Sequence, residues 1–200
     1  MTAGRAATFL DRDGTITVEN SYITRPEDIR LVDGASAAIR ELNAAGVLAV
    51  IISNQSGVAR GLMSEEDVAA VHAATESLLA AEGATLDGAY YCPNHFDGKV
   101  LRYTQDASCR KPALGMLELA IRDLGIDLSR STVVGDQMTD VEFANRAGIP
   151  AVLVTTGKGA EHFESASERG LRVTAHVPDI AAAVRWILDG RHGWEPENER

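Results

Sequence analysis

The chain of 200 residues is 45% hydrophobic and 24% charged, and its 19 basic against 29 acidic side chains give a formal charge of -10. That balance disfavours a general binder of nucleic acid or of anionic membrane, although a local basic pocket can still hold a phosphate. With only Cys92 and Cys109, no signal-peptide-like start and no aliphatic run longer than residues 47–52, the chain reads as a cytoplasmic protein without a disulfide framework.

In chain order, the apolar run 7–10 predicts a strand. A helix follows over 34–45, a strand over 47–53, a helix over 64–82 and a strand over 86–92. Residues 93–111 form an irregular segment long enough to be functional. A helix over 112–124 comes next, then a strand over 131–135, a helix over 139–147, a strand over 150–156, a weaker strand over 171–177 and a helix over 179–189. Residues 191–200 read as a polar tail. Ser64 with Asp67, and Thr139 with Glu142, resemble capping boxes. Pro112 suits a first helical turn, and Gly46, Gly83, Gly125 and Gly148 suit left-handed helix ends.

Alternating strands and helices with near-continuous apolar strands predict an α/β fold: three layers, a doubly wound and mostly parallel sheet, one domain over 1–190. Ligands of such folds bind outside the carboxyl ends of the strands. Residues with useful chemistry do cluster there, as DRDGT (11–15), SNQSG (53–57) and GDQMTD (135–140).

Asp11 and Asp13 stand one residue apart at the first strand end. A carboxylate there can attack phosphorus, and a second acid two residues on can protonate the leaving alcohol and later deprotonate water. Two carboxylates beside a phosphate need a cation, and Mg²⁺ pairs with carboxylates and phosphate oxygens. Asp136 supplies a further metal ligand and Asp140 a partner for a metal-bound water. Ser53 and Asn54 offer neutral donors to phosphate oxygens, and Lys111 offers a positive charge. Taken singly, each residue also fits a turn, a cap or a solvated surface.

The stretches DRDGT, SNQSGVARG, CRKP and GDQMTD resemble, in order and spacing, the four signature motifs of the haloacid dehalogenase superfamily of phosphatases. Within it they are similar to the subgroup of heptose-bisphosphate and histidinol-phosphate phosphatases, from about Phe9 to Lys158. The resemblance implies Asp11 as nucleophile and Asp13 as acid/base, with an aspartyl-phosphate intermediate. It implies Mg²⁺ held by Asp11, the Asp13 carbonyl and Asp136, phosphate bound by Ser53 and Lys111, and a second phosphate met by Arg110.

The pattern breaks in two places. The family's zinc loop carries a histidine where Asn94 stands and a cysteine where Ala107 stands. Cys92, His95 and Cys109 remain as Zn²⁺ ligands, with Asp97 or Asp106 as a poor fourth; the alternative is a loop without metal and with two free thiols. Gln137 stands where a basic residue often follows the aspartate. His72, His162, His176 and His192 show no ligand spacing and read as structural or surface residues.

About 40 residues separate Asp13 from Ser53, which leaves no room for a large cap domain. Specificity then falls to the loops 21–26, 57–62 and 93–111. Arg60 and Arg110 suit a clamp for a distal phosphate, favouring a sugar bisphosphate as the small-molecule partner. Histidinol phosphate is the alternative, since Asp97 and Asp106 would suit its amine and imidazole. A nucleic-acid end-processing phosphatase is disfavoured by the charge. A catalytically dead binding relative would have lost Asp11, Asp13 or Asp136, and all are present. No leftover apolar stripe marks an interface, so a monomer is expected.

Overall fold

The computed structural model describes residues 4–190, so the expected tail 191–200, with His192, lies outside the described residues. Six strands form one sheet: β1 (Ala7–Leu10), β2 (Leu48–Asn54), β3 (Gly88–Cys92), β4 (Thr132–Gly135), β5 (Ala151–Val154) and β6 (Ala175–Val177). Their order is β3-β2-β1-β4-β5-β6, and every neighbouring pair is parallel. The helices are α1 (Ala35–Ala44), α2 (Glu65–Ala81), α3 (Gly115–Leu124), α4 (Met138–Ala147), α5 (Gly159–Glu168) and α6 (Ile180–Leu188).

Successive strand residues point to opposite faces, so a sheet covered on both sides needs unbroken apolar strands. In β1, Ala7 and Phe9 pack with Met116 and Leu117 of α3 and Phe143 of α4. Leu10 points the other way, to Ile39 and Leu42 of α1 and Ile180 and Val184 of α6. Burying a side chain such as Phe9 or Leu10 contributes roughly 1.5–3 kcal/mol. The winding reverses between β1 and β4, which opens a crevice at their carboxyl ends.

The strand expectations hold to within a few residues at each end. The connection between β1 and β2 contains only a 3-10 turn at Pro26–Asp28 and α1, so no large cap domain occurs among the described residues. None of the described helices is long and apolar enough to cross a membrane.

Three local expectations change. Helix α5 was absent from the pattern, because GAEHFESASE has few apolar residues to mark a face. The capping box of α4 uses Gln137 and Asp140, not Thr139 and Glu142, since the chain leaves β4 at Gly135 and turns at once into the helix. Pro112 is not in the first turn of α3, which begins at Gly115. The Asn54 side chain occupies both the N–H and the carbonyl of Lys111, so that residue cannot open a helix. The Ser64–Asp67 capping box forms as expected.

Candidate active site

Asp11 leaves β1 and Asp136 leaves β4, the two strands that flank the crevice. Gly14 makes their approach feasible. Its φ is +91°, and a Cβ there would lie 2.4 Å from Asp136 Oδ2, so only glycine fits. The main-chain N–H of Lys158, just after β5, donates to that same Oδ2 at 2.9 Å.

Lys111 arrives from the far side of β2. Its buried Nζ donates to Asp11 Oδ1 and Asp140 Oδ1, both at 2.6 Å, and to the Ile52 carbonyl at 2.8 Å. Burial acts to lower its pKa, but the charges of Asp11 and Asp140 outweigh it and Lys111 stays protonated. Asp140, expected beside a metal-bound water, here holds Lys111 through Oδ1 and caps α4 through Oδ2.

Burial raises the Asp11 pKa to about 7; Asp140 and Asp13 add to that rise and Lys111 opposes it. Asp136 rises to about 8, through burial first and then the charges of Asp11 and Asp140. Oxygens of Asp11, Asp136 and Asp140 lie within 4.8 Å of one another, and the one ammonium among them bonds Asp11 and Asp140 but not Asp136. Asp136 Oδ1 is buried without a hydrogen-bond partner. Excess negative charge and an unpaired carboxylate oxygen fit a hard divalent cation.

Asp13 is arranged differently from Asp11. Fully buried Arg12 grips it through Nε and Nη2 at 2.9 and 2.8 Å, and Thr17 Oγ1 and Gln55 Nε2 each donate at 3.1 Å. Burial pushes the Asp13 pKa up, but Arg12 and these hydrogen bonds outweigh it and hold the group below its ordinary value. Gln55 Nε2 also donates to Ser53 Oγ at 2.8 Å, so one amide ties the phosphate-facing turn to Asp13.

A cavity of about 310 Å³ opens over these groups, lined by Asp11, Asp13, Ser53, Asn54, Arg110 and Lys111 among others. Arg60 does not line it, but its Nη2 stands 3.5 Å from His95 Nε2. The Arg110 pKa is lowered by burial and then by the charge of Arg60. Neither guanidinium has an ion pair among the described residues. Asp97 and Asp106 do not line the cavity. Asp97 is exposed, and Asp106 accepts from Ser108.

The zinc expectation is corrected. Cys92 and Cys109 are bonded to each other, their Cα atoms 5.4 Å apart, so neither two free thiols nor a zinc set is present. His95 Nδ1 accepts from the Asp97 N–H. The strand end and the returning loop bring the two sulfurs together, which spacing along the chain does not disclose.

Several contributors went unrecognised in the sequence: Arg12, Thr17, Gln55, Glu19 and Lys158. Lys158 follows β5, so the strand-end rule would have found it. Glu19 lines the cavity and lies 3.9 Å from Lys158 Nζ. His162 has a structural role, its Nδ1 accepting from the Met138 N–H at 3.1 Å.

Residues 108–183 match a HAD-hydrolase-like family model. The D-glycero-D-manno-heptose-1,7-bisphosphate 7-phosphatase of Thermosynechococcus vestitus is 43% identical over 187 residues, covering 92% of this chain and 95% of that protein. This chain belongs to the heptose-bisphosphate phosphatase family. The Escherichia coli member, a D-glycero-beta-D-manno-heptose-1,7-bisphosphate 7-phosphatase, is 41% identical over 175 residues, 86% of this chain and 91% of its own. The D,D-heptose 1,7-bisphosphate phosphatase of B. bronchiseptica, solved with magnesium and phosphate, superposes with a TM-score of 0.80 at 30% identity, covering 92% of this chain and 99% of that one. Membership of the heptose-bisphosphate phosphatase family makes the chain a phosphoric monoester hydrolase with a HAD-like fold.

Proposed function

We propose that the enzyme removes the 7-phosphate of D-glycero-D-manno-heptose 1,7-bisphosphate, using Mg²⁺ and an aspartyl-phosphate intermediate. The observation that carries this reading is one cavity lined by Asp11, Asp13 and Arg110, with Asp136 and Asp140 clustered beside Asp11 and no carboxylate paired with Arg110 among the described residues. The names of the relatives and the bound magnesium and phosphate of the B. bronchiseptica enzyme support it.

Asp11 and Asp136 side chains and the Asp13 carbonyl would hold Mg²⁺, which when bound would neutralise phosphate charge beside Asp11. Ser53 and Asn54 orient the phosphoryl oxygens, and Lys111 Nζ balances the charge that develops on them. An Asp11 oxygen attacks phosphorus, and the bond from phosphorus to the sugar oxygen breaks. Asp13, in its protonated form, gives a proton to that oxygen. Asp13 then takes a proton from the water that attacks phosphorus, which releases phosphate and restores the Asp11 carboxylate. Delivering that first proton requires Asp13 to turn out of the Arg12 clamp, where every donor it meets favours the ionised form.

Arg110, with Arg60 beyond it, would receive the distal phosphate. A monomer is part of the same proposal. A phosphorylated sugar is retained inside cells, which fits a cytoplasmic enzyme. The test is Asp11→Asn with Mg²⁺ and the bisphosphate: phosphate release should vanish while the melting temperature stays close to that of the parent. Sustained turnover in a clean preparation overturns the assignment.

A further inference from the structure

We infer that the Cys92–Cys109 disulfide is the positioning element for Arg110, and that its reduction selectively weakens recognition of the distal phosphate. The inference rests on the bisphosphate reading above.

Cys92 ends β3, in register with Asn54 of the phosphate-facing turn, and its carbonyl accepts from the Gln55 N–H at 2.8 Å. Cys109 directly precedes Arg110. The bond therefore ties the residue before the guanidinium to the rigid edge of the sheet. That attachment has an electrostatic task. Arg110 and Arg60 repel each other, and no carboxylate pairs with either among the described residues. A loop that holds the Arg110 guanidinium toward that of Arg60, on the separate 57–62 loop, must be held mechanically until an anion arrives.

The other anchors of the loop are hydrogen bonds. Its early half is pinned where Lys99 and Val100 N–H groups donate to the Ala59 carbonyl, and Tyr103 Oη donates to Glu65 Oε1. Its return, 104–110, has the Asn94 side chain donating to the Asp106 carbonyl, Ser108 donating to the Asp106 carboxylate and the Gly115 N–H donating to the Ser108 carbonyl. The Arg110 N–H donates to the Ala107 carbonyl, a bond local to the loop, and the Arg110 side chain itself makes one long bond, from Nη1 to the Asn94 carbonyl of the same loop at 3.4 Å. Asn94 and Ala107 stand where a metal site would have needed ligands, so the covalent bond takes over the neck of the loop.

Lys111, one residue on, does not depend on this brace. Its Nζ is fixed by Asp11, Asp140 and Ile52, and its backbone by Asn54. Loss of the bond should thus release Arg110 and leave the phosphoryl-transfer groups in place. Cys92 is buried while Cys109 is partly exposed, which gives an attacking thiolate one accessible sulfur. A dithiol reductant supplies two electrons and two protons: the S–S bond breaks to two protein thiols, and the reductant becomes a disulfide. In a reducing compartment this equilibrium would be contested.

The experiment compares oxidised enzyme with enzyme reduced by dithiothreitol. Free thiols are counted after denaturation, and amide exchange is followed across 93–111. Kinetics use heptose 1,7-bisphosphate and p-nitrophenyl phosphate. The oxidised enzyme should contain no free thiol. Reduction should speed exchange at 104–110 and raise KM for the bisphosphate roughly tenfold, as for one weakened charge-assisted contact. It should leave kcat and the turnover of p-nitrophenyl phosphate within about twofold, and reoxidation should restore KM. Cys92→Ser with Cys109→Ser should match the reduced enzyme. Two thiols in the oxidised preparation, or unchanged exchange and KM on reduction, overturn the brace. A redox-dependent exchange at 104–110 in an enzyme that shows no preference for the bisphosphate overturns the substrate reading instead.

Discussion

Arg12 and Asp13, neighbours in sequence, form a two-pronged ion pair in which a fully buried guanidinium holds both oxygens of a carboxylate that borders the cavity. A fork–fork pair is both directional and strong. It sets the resting angle of Asp13 and holds the group ionised, the form that takes the proton from the attacking water. Replacing Arg12 by Met should cost roughly 1.5–3 kcal/mol of stability, the range for hydrogen bonds to charged groups. It should lower kcat by about 10- to 100-fold, part of the usual acid–base contribution, with KM near its parent value. Arg12→Lys should fall between, because an ammonium keeps the charge and loses the fork. Steady-state kinetics and urea unfolding of both variants check this.

Lys111 is the cation that lets Asp11 and Asp140 remain buried together. Lys111→Met leaves them uncompensated. Removing one partner of a buried pair costs about 3–5 kcal/mol, and losing charge stabilisation at the transferring group costs about 10²–10³ in kcat. Both losses should appear, and an added divalent metal should recover part of the stability but not the rate. Unfolding midpoints with and without Mg²⁺, beside kcat, read the two effects separately.

Gly14→Ala tests the close packing of the two strand ends. The added methyl meets Asp136 Oδ2, and the left-handed backbone disfavours any side chain, a strain of about 1–3 kcal/mol. Asp136 should be pushed off its position, so calorimetric Mg²⁺ binding should weaken along with the melting temperature. Unchanged binding would show that Asp136 does not need its present place.

His72 on α2 gives a pH-dependent stability. Burial, then the charge of Arg12, lowers its pKa from 6.5 to about 4. The folded protein therefore keeps His72 neutral while the unfolded chain takes up a proton. The stability present above pH 6.5 is lost as pH falls from 6.5 towards 4, up to roughly 3 kcal/mol. Urea midpoints measured over that interval should fall, and His72→Leu should flatten the slope. Equal slopes in the two proteins would remove His72 from the account.

Local pattern determined a great deal here. Apolar runs bounded by turn residues located all six strands, because a sheet covered on both faces admits few polar residues. The strand ends then pointed to Asp11, Ser53 and Asp136, since parallel topology gathers those ends on one edge. What tertiary structure alone decided involves partners distant in sequence or side chains without a periodic signal. Lys111 meets Asp11 across 100 positions and Asp140 across 29, and no local rule pairs them. Arg12 carries no periodic signal, and burial in the packed structure sets its guanidinium against Asp13. Cys92 and Cys109 read as zinc ligands in an incomplete set or as free thiols; the return of the loop to the end of β3 put their Cα atoms 5.4 Å apart and joined them. Sequence period reports which face a residue shows to the core, whereas only the packed sheet and its loops decide which two charges, or which two sulfurs, share a space.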